Sequence, residues 1–341
     1  MSFVEGLPKA ELHVHHVGSA SPRIVSELAA RYEGDTPVPV DPEKLADFFT
    51  FTDFAHFIEV YLSVVDLIRT PEDLWTLTYE VARDLAAQNV RYAELTLSPY
   101  TSIIRGIPAE AFCESVEDAR RQAEADLDIT MRWCFDIPGE SGLPAANVTL
   151  DAALRLRPDG LVSFGLGGPE VGVPRPQFAP HFAKALAAGL RSVPHSGEST
   201  GPETVWDAIH HLGAERIGHG IAAAQDPILM AYLAEHDITL EVCPTSNVCT
   251  RSVPSMAEHP LPILVAAGVP VTINSDDPPM FATTLNAEYE VARDLLTLDD
   301  RGVADLARAA VRASFAGETT KATILSEIDA YESPRSGASS T

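Results

Sequence analysis

The chain has few of the features that stabilise secreted proteins or anchor membrane proteins. Four of its 341 residues are cysteines (Cys113, Cys134, Cys243 and Cys249), and none forms a C-x-x-C pair. So few cysteines in a chain of this length do not make a disulfide framework. The apolar runs, such as residues 261–271, are far shorter than a bilayer requires, and the first residues lack the apolar core of a signal peptide. We therefore expect a cytoplasmic protein with no membrane role.

Basic residues are also scarce. The chain has 24 lysines and arginines against 49 aspartates and glutamates, which gives a net charge of −25. Because this charge repels phosphate backbones, the composition argues against a nucleic-acid polymer as partner. A small neutral or zwitterionic ligand is compatible with it.

Short β-branched or apolar runs alternate with amphipathic stretches of helical length, which is typical of repeated βα units on a parallel sheet. Eight such runs predict strands, and eight strands close a barrel. The predicted strands are residues 12–15, 91–97, 129–135, 161–166, 192–195, 216–219, 239–242 and 271–274. We predict an α/β fold, a (β/α)8 TIM barrel formed as a single domain by residues 1–331.

The first two predicted strands are separated by about seventy residues that carry only helix signals, which is longer than a plain βα connection. Ser-Pro, Asp-Pro and Thr-Pro pairs at positions 21, 41 and 70 are typical of helix starts. We predict an all-helical insertion over residues 20–88, which either packs as ordinary helices or covers the barrel mouth as a lid. Its aromatic residues include Phe48, Phe49, Phe51, Phe54, Phe57 and Tyr61. The tail, residues 332–341, is crowded with Pro, Ser and Gly and is predicted to be disordered.

Three histidine motifs and one aspartate motif lie where predicted strands end, which in a TIM barrel is the face that carries the active site. His13 and His15 alternate on the first strand and therefore share a face, while His195, His219 and Asp276 lie at other strand ends. Each of these residues alone could be a packed or turn residue. Together, His13, His15, His195 and Asp276 offer the nitrogen and carboxylate ligands that zinc prefers. We predict one Zn²⁺ per subunit, with a position left for a water whose pKa the metal lowers to about 7.

Hydrolysis also needs a proton donor and a group that orients the attacking hydroxide. Glu198, three residues after His195, is the predicted donor. His219 is predicted to hydrogen-bond the hydroxide and to stabilise the charge that develops during attack. Asp277, beside a ligand, is free to hydrogen-bond the substrate.

Seven short motifs occur in a fixed order along nearly the whole chain. They are PKAELHVH (8–15), YAEL (92–95), GGPE (167–170), HSGE (195–198), RIGHG (216–220), EVCPTSN (241–247) and SDDP (275–278). In this order and spacing, they resemble the adenosine deaminase family of metal-dependent amidohydrolases. The resemblance implies hydrolytic removal of ammonia from C6 of a 6-aminopurine. It also implies that Glu198 protonates N1, His219 orients the hydroxide, Asp277 bonds N7 and the backbone of Gly168 meets N3.

The chain departs from the family pattern after the first histidine pair. There the family usually has an acidic residue that contacts the 5′-hydroxyl of the ribose, whereas this chain has Val17. A buried hydroxyl without a partner costs about 1–3 kcal/mol. The resemblance is therefore closest to family members that deaminate 6-aminodeoxyfutalosine, an intermediate of menaquinone synthesis whose 5′ carbon carries a carboxyphenyl ketone. Arg69, Arg105 or Arg175 could meet its carboxylate.

Other possibilities stay open at this point. Val17 could simply pack, which would leave adenosine or adenine as the substrate. The third histidine, His16, points to the opposite side of the strand from His13 and His15, which favours a packing role. The fold could also serve a catalytically silent binding protein, although the retention of every ligand and of Glu198 argues against that reading. The sequence leaves the oligomeric state open.

Overall fold

The computed structural model describes residues 2–50 and 54–333. Eight parallel strands lie side by side in chain order, each hydrogen-bonded to the next. They are β1 (Lys9–His15), β2 (Val90–Leu97), β3 (Thr130–Pro138), β4 (Leu161–Gly167), β5 (Arg191–Ser196), β6 (Arg216–His219), β7 (Thr239–Val242) and β8 (Val271–Ile273). The predicted TIM barrel is confirmed. The ends of each predicted strand lie within three residues of the ends of the observed strand.

The barrel closes where β8 meets β1. Val14 and Asp276 form a parallel bridge, the His15 N–H donates to the Asp276 carbonyl at 2.9 Å, and the Asp276 N–H donates to the His13 carbonyl at 3.0 Å. Lower in the same seam, the Asn274 Oδ1 accepts a 3.0 Å hydrogen bond from the Leu12 N–H. Closure therefore places Asp276 directly beside both histidines of β1.

Helices connect the strands and cover the barrel. They are α1 (Phe3–Gly6), α2 (Pro22–Ala30), α3 (Pro42–Phe48), α4 (Phe54–Val65), α5 (Pro71–Ala86), α6 (Pro99–Ile103), α7 (Ala109–Asp126), α8 (Gly142–Asp151), α9 (Ala179–Ala187), α10 (Pro202–Leu212), α11 (Pro227–Glu235), α12 (Pro244–Cys249), α13 (Leu261–Ala266), α14 (Leu285–Leu296), α15 (Asp300–Ala313) and α16 (Glu318–Glu332). Many begin with proline in the first turn, where a missing N–H costs nothing.

The predicted helical insertion between β1 and β2 contains helices α2 to α5. Helix α5 begins with a capping box between Thr70 and Asp73 and packs against α7, as an ordinary outer helix of the barrel does. Helix α4 carries Tyr61. Burial, and after it the charges of Asp277 and Asp136, raise the pKa of Tyr61 well above its usual range, so this helix reaches the barrel mouth. Of the insertion's aromatic residues, Phe51 and the side chains of Phe54 and Phe57 lie outside the described residues.

The C-terminal helix α16 ends at Glu332, which pairs with Arg308, so the first residue of the predicted tail is helical. Residues 334–341 of that tail lie outside the described part of the chain. In that described part, no helix combines the length and apolarity needed to cross a membrane.

A buried ion network fills the barrel interior below the mouth. The Arg216 guanidinium on β6 donates to the Glu241 carboxylate at 2.6 Å and to the Glu94 carboxylate, and it stacks 3.8 Å from the Phe315 ring centroid. All three charged side chains are at most 3% exposed. Because a buried carboxylate is stable only when it is paired, Arg216 is what allows two carboxylates inside the barrel.

Replacing Arg216 with methionine should therefore destabilise the fold by about 3–5 kcal/mol, because Glu94 and Glu241 lose their shared cation. Chemical denaturation would measure this loss. Arg191→Met is the matched control, since Arg191 also lies near the Phe315 ring but pairs at the surface with Glu215. Its loss should cost less than about 1 kcal/mol. Equal effects of the two substitutions would contradict this account of the network.

Candidate metal and catalytic site

The four predicted ligands meet at the carboxyl end of the barrel. His13 and His15 come from β1, His195 from β5, and Asp276 directly follows β8. The Nε2 atoms of His15 and His195 are 3.2 Å apart, and the Asp276 Oδ1 lies 3.2 Å from the His15 Nε2 and 3.5 Å from the His13 Nε2. The structure thus brings together residues up to 263 positions apart in the chain.

The chemistry of this cluster favours a bound cation. Burial lowers the pKa of His13, but hydrogen bonds to Asp276 and Glu241 outweigh it and raise the pKa to about 10. The buried carboxylates of Asp276 and Glu241 thus favour positive charge beside His13. A bound metal ion would supply that charge while the histidine nitrogens stay neutral. The buried His13 Nε2 lies 3.5 Å from the Asp276 Oδ1, a contact at the limit of hydrogen-bond distance. His13, His15 and Asp276 therefore fit a metal ion, and their ligand atoms lie within 4.8 Å of one another.

A glycine makes room for two of these histidines. A Cβ atom on Gly218 of β6 would lie 2.8 Å from the His13 Cε1 and 3.1 Å from the His195 Cγ. The first distance is one that real Cβ atoms essentially never show, and the second is tighter than most of their contacts, so position 218 favours glycine for packing and not for backbone conformation.

Glu241 and Ser246 support the ligands from behind. The Glu241 carboxylate lies 3.0 Å from the His13 Nδ1, which directs the His13 Nε2 toward the cluster. The Ser246 hydroxyl donates to the Asp276 Oδ2 at 2.6 Å. Partners of this kind fix the orientation of metal-binding side chains.

Glu198 lies on the loop that follows β5. The carboxylate of Glu170 accepts hydrogen bonds from the backbone N–H groups of Glu198, Ser199 and Thr200 at 2.9–3.1 Å, and this interaction holds the loop. The Thr250 hydroxyl donates to the Glu198 Oε1 at 3.3 Å. Burial, followed by the charges of Asp276 and Glu170, raises the pKa of Glu198 to about 8. A carboxyl group whose pKa is raised in this way is suited to hold the proton that a general acid needs.

His219 ends β6 with its backbone in the left-handed region, at φ 59°. Its Nε2 lies 3.7 Å from the Glu198 Oε2 and 3.9 Å from the Asp276 Oδ2. Burial, followed by the charge of His13, lowers the pKa of His219 to about 3, so its ring is neutral. The ring therefore stands between the predicted proton donor and a predicted ligand.

Asp277 is a buried acid that faces the β1 loop. A Cβ atom on Gly18 would lie 1.5 Å from the Asp277 Oδ1, so the glycine makes space for this carboxyl group. Within the described residues that oxygen is buried without a hydrogen-bond partner. Burial, followed by the charge of Asp276, raises the pKa of Asp277 to about 7. The group is thus partly protonated at neutral pH and available to a ligand.

The remaining predicted substrate residues flank the mouth. Gly168 follows β4 at φ 79°, and a Cβ on it would lie 2.3 Å from the Glu140 Oε2. Val17 is partly buried and packs against the core. His16 is buried and its Nε2 bonds the Thr78 hydroxyl at 2.9 Å, away from the cluster.

The prediction that Arg175 could meet a substrate carboxylate is wrong. Its guanidinium is fully buried, lies 3.3 Å from the Glu170 carboxylate and donates to the His195 carbonyl at 3.2 Å. Engaging a substrate would leave Glu170 buried and unpaired. Arg69 and Arg105 are about one-third exposed and pair with surface aspartates.

Several residues of the site were not assigned a role from the sequence. Glu241, Ser246 and Asn247 belong to the EVCPTSN motif, which was recognised but given no function. Tyr61 and Glu140 belong to no motif, so only the folded chain identifies them.

Comparison with known proteins agrees with this geometry. The family model described as Adenosine deaminase matches residues 8–331. The chain is 68% identical to the aminodeoxyfutalosine deaminase of Streptomyces avermitilis over 97% of this chain and 92% of that protein. It is 37% identical to the adenine deaminase of Cupriavidus necator over 95% of this chain and 92% of that protein. The crystal structure of adenine deaminase from Arthrobacter aurescens matches with a TM-score of 0.89 and 31% identity, covering 96% of this chain and 99% of that one.

The role of Gly218 leads to a test of the metal site. Gly218→Ala should displace His13 and His195 and weaken metal binding by about 10–100-fold, the usual cost of misorienting a ligand. Competition with a chelator, followed by elemental analysis of the protein, would measure the change. Gly317→Ala is the control, because a Cβ there meets no atom within 4 Å. Full metal retention in Gly218→Ala would show that His13 and His195 are not both ligands.

Proposed function

The chain belongs to the adenosine deaminase family, and we propose that it deaminates 6-aminodeoxyfutalosine to futalosine and ammonia, a step of menaquinone biosynthesis. The family predicted from the sequence motifs is confirmed. In the proposed reaction, water replaces the amino group at C6 of the purine.

The observation that carries this proposal is a pair of buried acids that hold protons near neutral pH. Burial, followed by neighbouring carboxylates, raises the pKa of Glu198 to about 8 and that of Asp277 to about 7. Purine N1 and N7 both present lone pairs and therefore need donors. These two carboxyl groups lie beside the ligand cluster, Glu198 near His219 and Asp277 next to Asp276, and in protonated form each can donate to one of those nitrogens.

Zinc is the metal that we propose for the cluster, one ion per subunit. Three neutral imidazoles from His13, His15 and His195 and one carboxylate from Asp276 form a ligand set suited to zinc. A zinc ion bound there would lower the pKa of water so that hydroxide is available at neutral pH.

The protein's own groups then perform the rest of the reaction. Glu198 gives its proton to N1, which makes C6 more electrophilic, and the proton stays on N1 in the product. His219 hydrogen-bonds the attacking oxygen and stabilises the charge on it. Asp277 donates to N7, and the backbone of Gly168 meets N3. The amino group leaves C6 as ammonia when it takes the proton of the attacking oxygen.

The identity of the 5′ substituent rests on Val17 and on relatedness. An apolar side chain at this position cannot satisfy a 5′-hydroxyl, whereas it suits a carboxyphenyl ketone. The Streptomyces avermitilis relative is an aminodeoxyfutalosine deaminase, and the adenine deaminases share much lower identity. Arg69 or Arg105 could then exchange its surface aspartate for the substrate carboxylate, because an exposed ion pair costs little to break. Helix α4, which reaches the mouth, would cover the aromatic extension as a lid.

The substrate is tested by parallel assays of metal-loaded protein with 6-aminodeoxyfutalosine, adenosine and adenine, followed by ammonia release. We expect kcat/KM to be highest for 6-aminodeoxyfutalosine. Val17→Asp should raise kcat/KM for adenosine by about tenfold or more, because the new carboxylate accepts a hydrogen bond from the 5′-hydroxyl. Val17→Leu is the matched apolar control and should not show this gain. Wild-type turnover of adenosine at an equal or higher rate would refute the assignment.

The proton donor is tested by Glu198→Gln, which keeps the side-chain shape but has no acidic proton. Turnover should fall by about 10²–10⁴-fold while metal content and substrate affinity are retained. In the wild type the protonated carboxyl is the active form, so activity should be lost as pH rises through the Glu198 pKa. That pKa is about 8 without a metal, and a bound cation lowers it. A variant with wild-type turnover would disprove the role of Glu198.

A further inference from the structure

Behind His219 lies a buried pair of polar side chains that the proposed reaction does not use. Asn247 belongs to α12, and His259 lies between the short 3₁₀ helix Met256–Glu258 and α13. Both side chains are buried, with His259 4% exposed and Asn247 fully enclosed. Buried polar groups of this kind need hydrogen-bond partners. Here the partners form a series of hydrogen bonds that ends at His219.

This series of hydrogen bonds begins at the start of helix α13, where backbone N–H groups have no partner within the helix. The N–H of Leu261 donates to the His259 Nδ1 at 3.1 Å. A backbone N–H is always a donor, so this Nδ1 must present its lone pair. Burial lowers the pKa of His259 to about 4, so its neutral ring carries its single proton on Nε2.

The direction of every later bond follows from that proton. The His259 Nε2 lies 3.2 Å from the Asn247 Oδ1 and donates to it. This bond fixes the orientation of the amide, whose Nδ2 then donates to the His219 Nδ1 at 3.1 Å. The His219 Nδ1 is therefore an acceptor, and the neutral His219 ring holds its proton on Nε2, the atom that faces Glu198 and Asp276.

We propose that His259 and Asn247 are positioning residues that hold His219 in its Nε2–H tautomer, so that His219 donates a hydrogen bond to the attacking oxygen and does not act as a base. The mechanistic part of this inference rests on the proposed deamination, whereas the tautomer itself follows from the hydrogen bonds alone.

The tautomer determines which group moves the proton of the attacking oxygen. His219 has no lone pair facing the site and keeps its proton throughout. Glu198 becomes a carboxylate once its proton is on N1, and it lies 3.7 Å from the His219 Nε2. In the proposed reaction Glu198 then accepts the proton of the attacking oxygen and passes it to the amino group, which leaves as ammonia. Glu198 regains a proton when the next water ionises, so the reaction is balanced.

The tautomer can be observed directly by ¹⁵N NMR of metal-loaded protein labelled at histidine, with His219→Asn used to assign the signals. A protonated Nε2 and an unprotonated Nδ1 on His219 are the expected result. A proton on Nδ1 would overturn the inference whatever the protein's activity.

Substitutions at Asn247 and His259 test this series of hydrogen bonds. Asn247→Asp replaces the donor with a carboxylate, which should pull the His219 proton onto Nδ1 and lower kcat by about 100-fold with little change in KM. His259→Gln keeps a side-chain amide that can both accept from Leu261 and donate to Asn247, so it should retain most of kcat and the wild-type His219 signals. His259→Leu should lose both. His236→Leu, at an exposed histidine, is the control.

The outcomes separate this inference from the proposed function. If the wild type turns over none of the three aminopurines but shows the Nε2–H tautomer, the proposed function and the role of His219 in it fail while the tautomer assignment holds. If the wild type is active and Asn247→Asp keeps both its kcat and its His219 signals, the positioning role fails and the proposed function stands.

Discussion

The site depends on a buried series of charged contacts inside the barrel, from Arg216 through Glu241 to His13. Arg216 pairs with Glu241 on the neighbouring strand, and Glu241 contacts His13 at 3.0 Å. Without the arginine, Glu241 would be a carboxylate in the core with no cationic partner from Arg216, and without Glu241 the His13 Nδ1 would lose the carboxylate that directs its Nε2 toward the ligand cluster. The Glu241 carboxylate that Arg216 stabilises inside the barrel is therefore also the one that orients the predicted metal ligand His13.

Exclusion of water has different consequences for neighbouring groups at the mouth. Burial favours the neutral form of every group, so it raises the pKa of Glu198 and Asp277 and lowers that of His219. The acids can then donate protons while the histidine stays uncharged. Asp276 departs from this trend, as His13 does, because hydrogen bonds from His13 and His15 lower the pKa of Asp276 despite its burial. One dry environment thus supplies two neutral donors beside one carboxylate suited to a cation.

Much of the fold could be predicted because each strand carries its own local signal. The alternation of apolar runs with helical stretches located all eight strands, and parallel strands place their carboxyl ends together, which brought the predicted ligands to one region. The prediction for Arg175 failed for a physical reason. A sequence shows that an arginine is present but not that Glu170 already neutralises it. Glu140 was missed, and Tyr61 was noted only as one of the aromatic residues of the insertion, because contacts between residues far apart in the chain leave no local pattern.

The sequence by itself determined the barrel, the set of residues predicted to bind a metal, and the family. These depend on residue types and on periodicities of two or 3.6 residues, which are local. Only the tertiary structure decided which atoms face one another: that Glu241 orients His13, that Gly218 makes room for two histidines, and that Leu261 fixes a proton on His219 through two intervening side chains. Hydrogen-bond direction and burial arise from groups far apart in the chain, so they exist only once the barrel has closed.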